Sequence, residues 1–340
     1  MLAAPDLASD LDAIVSSGRT SMQTAGLSVA VRLGDRVIFA EGYGEADLEH
    51  HIAATPETVY RIASVTKQFT AVAILQLADA ERLALQDPVS AHVPIFDQGP
   101  APITLHQLLT HTSGLRNYSR FIGDRNRLPL TREDVVAMFE DEDLDFRPGR
   151  DWAYSNSGYF LLGLAIEHVS GLTYGEYVEK ALAKPAGLHD TLYCDNARLI
   201  EHRARGYVSR KGRFQNAKAI EMHAPFAAGA LCSTVLDLVQ WARALFGGSI
   251  VSPIRLREMT TPVEIRGRAR EYGYGVVIDD LDGHRRFQHG GSISGFSAYL
   301  CHYPDSNLSI AVLANTGGVD AEGLADELAR AVFASGQLSP

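Results

Sequence analysis

The apolar positions of this chain change their spacing three times between its ends. A first helix is predicted around Asp6 to Ser17. Next, GLSVAVRLGDRVIFAEGYG reads as two strands, Leu27 to Leu33 and Arg36 to Gly42, joined in a hairpin at Gly34-Asp35. From Ser64 to about Leu83 the pattern is helical but apolar on nearly every side, the mark of a helix buried between layers. Asp87-Pro88 and Pro94 punctuate its exit. Roughly 85 to 260 then carries helical windows, TLHQLLTHTSGL, REDVVAMFED, SGYFLLGLAIEHVSG and TVLDLVQWARALF, divided by Gly and Pro breaks. The tail turns to short β-rich runs, YGYGVVIDD, RRFQHG, GFSAYLCHY and LSIAVLANT, and closes on the helix DAEGLADELARAVFA.

Strands at both ends with helices between them predict an α+β fold. One antiparallel sheet is built from the two termini, flanked by terminal helices and interrupted by a mainly helical insertion. The expected subdomains are about 1–84 plus 261–340 and 85–260, within a single domain spanning 1–340, and a cleft between them follows. The acidic run EDEDLD, Glu140 to Asp145, is expected to be a solvated loop.

Composition narrows the functional classes. With 46% hydrophobic and 21% charged residues the chain falls among ordinary folded, soluble proteins. A formal charge of −10 sets it against a phosphate backbone or an anionic bilayer, so nucleic acid is disfavoured as a partner. The start MLAAPDLASDLD lacks a basic region followed by an apolar run, and no stretch approaches the ~18 apolar residues of a membrane span. A cytoplasmic location is expected, or a periplasmic or secreted one if a leader was removed. Three cysteines, Cys194, Cys232 and Cys301, are far apart and odd in number, and are expected to be buried free thiols.

Three short stretches carry candidate chemistry. In RIASVTKQFTA, Ser64 and Lys67 stand at i and i+3, which on a helix places their Cβ atoms about 5–6 Å apart on one face. Ser64 would sit in the first helical turn, where unpaired N–H groups favour a developing anion, and the apolar residues after Lys67 would lower its pKa. The plainer alternative is a capping serine with a surface lysine. In PGRDWAYSNSGYF, a turn at Pro148-Gly149 precedes Tyr154 and Asn156 at the mouth of an apolar helix; a packed tyrosine and a capping asparagine would explain these as simply. In FQHGGSISGFSAYL, His289-Gly290-Gly291 ends one strand and lets the backbone approach a ligand without Cβ obstruction, or forms no more than a glycine-rich hairpin.

Ser-x-x-Lys, Tyr-x-Asn and His-x-Gly in this order, on a buried helix, a loop and a strand beside one cleft, resemble the penicillin-recognising serine hydrolases. These include class C β-lactamases, DD-peptidases, D-aminopeptidases and related esterases. The resemblance spans about residues 10 to 330 and extends to ITLHQLLTHTSGL, AAGALCSTVLDLVQWARAL and HGGSISGFSAYLCHYPDSNLSIAVLAN. It implies the β-lactamase/transpeptidase-like fold, with Ser64 as nucleophile, Lys67 and Tyr154 sharing proton transfer, and Asn156 holding Lys67 and the substrate amide. It further implies an oxyanion hole from the backbone N–H groups of Ser64 and Ser292, with His289 and Gly291 beside the substrate, and neither metal nor cofactor.

His289 stands where most β-lactamases of this family carry lysine. Imidazole, with a reference pKa near 6.5, is expected to hold a substrate carboxylate weakly at pH 7 and better towards pH 6. The expected activity is hydrolysis of amide or peptide bonds in a small-molecule or peptide substrate containing a D-amino acid. Alternatives are a small-ester hydrolase or a weak β-lactamase on the same site, and a silent binding module, which the complete set of Ser64, Lys67, Tyr154 and Asn156 opposes. The discriminating rim of the cleft is expected at Tyr118 to Leu130 and Ala217 to Ala230. THTSGL is expected to be a structural turn, no G-x-S-x-G elbow exists, and no HExxH helix occurs among the twelve histidines. His50-His51 read as ordinary surface residues without a partner at metal-ligand spacing. The oligomeric state is left open.

Overall fold

The computed structural model describes residues 7–96 and 102–336. The first helix, α1, runs Leu7–Met22, longer than expected, and Asp6 lies outside the described residues. Strands β1 (Gly26–Leu33) and β2 (Arg36–Asp47) form the predicted hairpin around Gly34, whose φ of 57° suits the tight turn. The short β3 (Ile52–Ala53) extends that edge. The tail supplies β7 (Val277–Leu281), β8 (His284–Ile293), β9 (Phe296–Tyr303) and β10 (Leu308–Ala314). The seven strands join in the order β7-β8-β9-β10-β1-β2-β3 through antiparallel pairings; β1 meets β10 with Val29 opposite Val312. The two ends of the chain thus close one sheet.

Period-two alternation assigns the faces of this sheet. Val29, Val31, Tyr299, Ile310 and Val312 point to a layer formed by α1 and the closing helix Ala321–Ala334, where Leu11, Val15, Leu324 and Leu328 are buried. Ala30, Leu300, Ala311 and Leu313 point the other way, into the larger core shared with the helical region. Both faces of β9 and β10 are covered, so these strands are apolar at nearly every position.

Within the helical region, α2 (Thr66–Asp79) is the central element, buried all round from Thr66 to Leu75 and stacked through Phe69 on Trp241. It is shorter than the expected Ser64 to Leu83. A single 3₁₀ turn, Ala63–Val65, precedes it, and the chain leaves it at Glu81, which takes a left-handed φ of 55°. Leu83 and Leu85 still reach the core from the coil beyond. α5 (Asn156–Ser170) packs on α2, and α3 (Leu105–Leu109), α4 (Arg132–Val136) and α6 (Val235–Phe246) share its core. Each coincides with a predicted helical window, α5 starting one residue before its own.

A small three-stranded sheet links the two regions: β4 (Tyr60–Arg61), β6 (Leu231–Ser233) and β5 (Leu192–Tyr193), in the order β4-β6-β5. It also corrects the cysteine expectation. Leu192 pairs with Cys232, which brings Cys194 within 5.1 Å (Cα to Cα) of Cys232, and the two are joined in a disulfide; Cys301 alone remains a buried free thiol. Strand pairing, invisible in a spacing of 38 residues, makes that bond possible. Among the described residues no helix is long and apolar enough to cross a membrane.

Candidate active site

Ser64 lies in the 3₁₀ turn rather than in the first turn of α2, and the backbone around it is tightly constrained. Ala63 takes φ 46°, a costly conformation for a residue with a Cβ, while the Ile62 N–H donates to the Leu231 carbonyl at 3.0 Å and the Leu231 N–H donates to Thr66 Oγ1 at 3.2 Å. Strand β8 closes over this turn from above. A Cβ at Gly291 would lie 2.3 Å from the Ile62 carbonyl oxygen and 3.2 Å from the Ser64 nitrogen, so only glycine lets the strand pass. Gly290 faces open space by comparison, since a Cβ there would meet nothing closer than 3.8 Å. One of the two glycines is therefore dictated by the site.

Lys67 is fully buried, with Nζ 3.1 Å from Ser64 Oγ, 2.8 Å from Asn156 Oδ1 and 2.8 Å from the Ala228 carbonyl oxygen. No carboxylate is among these partners. Burial holds its pKa well below the usual lysine range. The neutral form satisfies this geometry: an amine donates two protons, to Asn156 Oδ1 and Ala228 O, and turns its lone pair to the Ser64 hydroxyl. The arrangement excludes a surface lysine.

The Tyr154 hydroxyl interacts with the Ser64 side chain, and burial raises its pKa above the usual tyrosine value. Its ring lies 4.8 Å from Lys67 Nζ. Asn156 is the first residue of α5 and not its cap; Ser155 takes the capping position without a side-chain bond. The Asn156 amide is oriented by its two contacts, Oδ1 accepting from Lys67 and Nδ2 donating to Ser119 Oγ at 3.0 Å.

Two residues outside the three motifs hold this pair in place. His111, buried in the THTSGL turn, accepts the Ser155 N–H at Nδ1 (3.2 Å) and receives the Ala153 N–H at its own carbonyl (3.0 Å), bracketing Tyr154. Its ring centroid lies 4.4 Å from that of Tyr154. The expected structural turn thus also sets the position of a site residue, a role legible only once 111 and 155 are seen together. Ala228, in the turn Phe226–Gly229, aims its carbonyl at Lys67 because Thr70 Oγ1 donates to the neighbouring Ala227 carbonyl at 2.6 Å. A backbone carbonyl leaves no signal in side-chain motifs.

His289 departs from expectation. It is buried on β8, with Nδ1–H donating to the Gly290 carbonyl at 2.6 Å and Nε2 accepting from the Tyr272 hydroxyl at 3.1 Å. Burial, with Lys67 adding to it, pushes its pKa down to about 3. It is a buried, neutral imidazole rather than a switchable cation. The alternation of β8 explains this: 289 and 291 share one face, and that face packs inward under Tyr154 and Tyr272.

The cavity beside Ser64, about 320 Å³, is lined also by Tyr118, Asn156, Ile220, Pro225 and Ser292, and none of its lining residues is charged. Both segments expected at the rim, 118–130 and 217–230, contribute to it. Among the described residues Asp47, Glu49 and His50 bring potential metal ligands together, so His50 does have neighbours at ligand distance. Arg205 occupies both carboxylates, however, and His50 Nδ1 is 2.9 Å from Asp47.

A family profile, Beta-lactamase, matches residues 11–334. The chain belongs to the Beta-lactamase family. Among curated relatives of this family member is Protein flp of Staphylococcus aureus (strain MRSA252), 30% identical over 91% of this chain. The chain spans about 63% of the length of that relative. Among solved structures, the octameric penicillin-binding protein homologue from Pyrococcus abyssi superimposes with a TM-score of 0.84 at 30% identity, covering 98% of this chain and 79% of the other. A D-stereospecific amidohydrolase from Streptomyces sp. follows with 0.81 at 29% identity, covering 95% and 98%. The fold is that of the β-lactamase and penicillin-binding-like serine hydrolases.

Proposed function

We propose that this chain hydrolyses amide bonds of small D-amino-acid derivatives through an acyl-enzyme on Ser64. The observation that carries the reading is the uncharged cavity around Ser64, opened beside a lysine that is held neutral. Lys67 accepts the Ser64 proton as Oγ attacks the carbonyl carbon. The oxyanion is met by the backbone N–H groups of Ser64 and Ser292, and Tyr154 passes a proton to the departing amine. Water then cleaves the ester, Tyr154 taking a proton from it as Lys67 returns one to Ser64 Oγ, which frees the acid and leaves both residues uncharged again. Lys67 and Tyr154 titrate as a coupled pair, and both arrive at pH 7 uncharged.

Two features support an amide with no carboxylate next to its scissile bond over a penicillin. His289 offers no cation, and Ile122, Ile220, Ala224, Pro225 and Ile293 give the cavity an apolar wall suited to a small side chain. Similarity to the D-stereospecific amidohydrolase supports the stereochemical part. The Cys194–Cys232 disulfide favours an oxidising compartment. The test is a turnover panel of D- and L-amino acid amides, D-Ala-D-Ala peptides, short acyl esters and a chromogenic cephalosporin. Faster turnover of the D-amides upholds the reading; preference for the esters or the cephalosporin overturns it.

A further inference from the structure

A second depression, of about 280 Å³, shares a wall with the Ser64 cavity: Ile220 and Ile293 line the first, whereas Ala219 and Ser294 line the second. Ser294 Oγ donates to the Lys218 carbonyl at 2.7 Å and closes that wall. The second depression has the opposite electrostatics. Arg61, Arg203, Arg205 and Lys218 line it, and no acidic residue does.

Two of the four cations are already answered, Arg205 by Asp47 and Glu49 and Lys218 by Asp124. The other two are not. Arg61 donates to Asn196 Oδ1 at 2.9 Å and lies 5.7 Å from the Phe296 ring centroid; Arg203 donates to the Asp195 backbone carbonyl at 3.1 Å. Among the described residues neither has a carboxylate at ion-pair distance. In a chain of formal charge −10, two guanidinium groups thus line one recess with no carboxylate in its wall, and Glu221 influences Arg61 only from beyond ion-pair distance. Burial and then the neighbouring Arg203 pull the Arg61 pKa down to about 10, and the Glu221 carboxylate, which opposes them, does not restore it. Guanidinium forks match planar carboxylates and tetrahedral phosphates in a way a lone lysine does not.

We propose that Arg61 and Arg203 together hold an oxyanion, a carboxylate or a phosphate, in this second depression. Because Arg61 stands on β4 three residues before Ser64, the anion is either a free ion or the carboxylate tail of a substrate whose scissile bond lies at Ser64.

The test is calorimetric titration and thermal unfolding of the full chain with inorganic phosphate and with succinate, against chloride at matched ionic strength. Saturable binding is expected, weakened by about tenfold or more in Arg203→Gln. Without added anion, Arg203→Gln should melt no lower than the parent, since it relieves a repulsion; a purely structural arginine would lower the melting temperature. Arg61→Gln is a poorer probe, because loss of the Asn196 and Phe296 contacts can disturb folding by itself. A response to phosphate that matches chloride, or one unchanged in Arg203→Gln, overturns the proposal. Kinetics separate the two sources once binding is shown. Phosphate that competes with a carboxylate-tailed amide but not with its neutral analogue identifies the substrate tail, and competition with neither identifies a free ion. Absence of amide turnover would defeat the proposed function and leave the anion measurement standing.

Discussion

Lys67 and Arg286 are both buried basic side chains, and their surroundings differ in every respect that matters. Arg286, on β8, donates to Asp279 through Nε at 2.8 Å and Nη2 at 2.9 Å, and also reaches Asp326 at 2.5 Å and Glu322 at 3.2 Å. Burial works against its charge, but the Asp279 hydrogen bonds prevail and its pKa stays above the ordinary value. Lys67 has only neutral acceptors, and burial prevails there. One cation ties β7 and β8 to the closing helix. The other is prepared to be an amine. Burial alone distinguishes nothing; the presence or absence of a carboxylate does.

The largest effect that would break this comparison is on turnover. Lys67→Met should lower kcat by about 10⁴-fold, the upper range for a lost general base, while stability stays within about 2 kcal/mol because only two neutral acceptors lose a donor. Ser64→Ala should abolish turnover with a melting temperature little changed. Intact-mass analysis after a fluorophosphonate should find one adduct, on Ser64, which Lys67→Met slows. An adduct on another serine would remove the basis for the whole site.

Arg286→Met should do the reverse. Breaking this ion-pair group leaves Asp326 without its arginine and Asp279 with only the Gln288 Nε2 donor, at a cost of about 3 kcal/mol, the low end for a buried pair because Glu322 is half exposed. The folded fraction should keep its kcat. Urea unfolding and active-site titration measure the two quantities separately; a variant that loses kcat per active site would show that β8 transmits strain from Arg286 to Gly291.

How much of this was legible in the sequence depends on the range of the cause. The hairpin at Gly34, the buried α2 and the helical windows follow from local period and turn chemistry. The order Ser64, Lys67, Tyr154, Asn156 also pointed to the cluster that the fold assembles. Features set by non-local packing were hidden. The Cys194–Cys232 bond depends on pairing of β5 with β6, the neutrality of His289 depends on Tyr272 and Tyr154 covering it, and the Ala228 carbonyl has no side-chain signature. Arg286 was missed as well, since its carboxylates come from positions 279, 322 and 326.

A smaller effect sharpens the comparison by moving a cation. His289→Lys places an ammonium in a pocket with Tyr272 and the Gly290 carbonyl but no carboxylate. It should resemble Lys67 rather than Arg286: a depressed pKa, a stability loss of about 1–3 kcal/mol from an imperfectly answered polar group, and no selective gain for substrates bearing a carboxylate. Steady-state kinetics on a carboxylate-bearing amide and its neutral analogue read this directly. A selective gain for the former would mean that position 289 does face the substrate.

The smallest effect is in the pH dependence of stability, where groups kept neutral by burial must differ from groups kept charged by partners. His289 and His302 have pKa values pushed down to about 3 and about 4, and His111 is well below its ordinary value; burial is the main cause in each. As pH falls below about 6.5 these three stay neutral in the folded chain but take up protons in the unfolded one. The unfolded state therefore binds more protons, and each histidine should remove about 1.4 kcal/mol of stability per pH unit until its folded pKa is reached. Lys67 follows the same sign at alkaline pH, destabilising as pH falls from about 10.4 towards its depressed value, whereas Arg286 contributes no slope in either window. Urea unfolding at pH 7, 6 and 5 should show the histidine slope before most carboxylates begin to titrate. His302→Asn, remote from the site and bonded only to Ser309 and stacked on Phe246, should remove about one share of it with turnover unchanged. A flat profile would mean that these imidazoles carry charge in the folded chain. His289 would then be a cation after all, and the distinction between answered and unanswered charges would fail at the strand closest to Ser64.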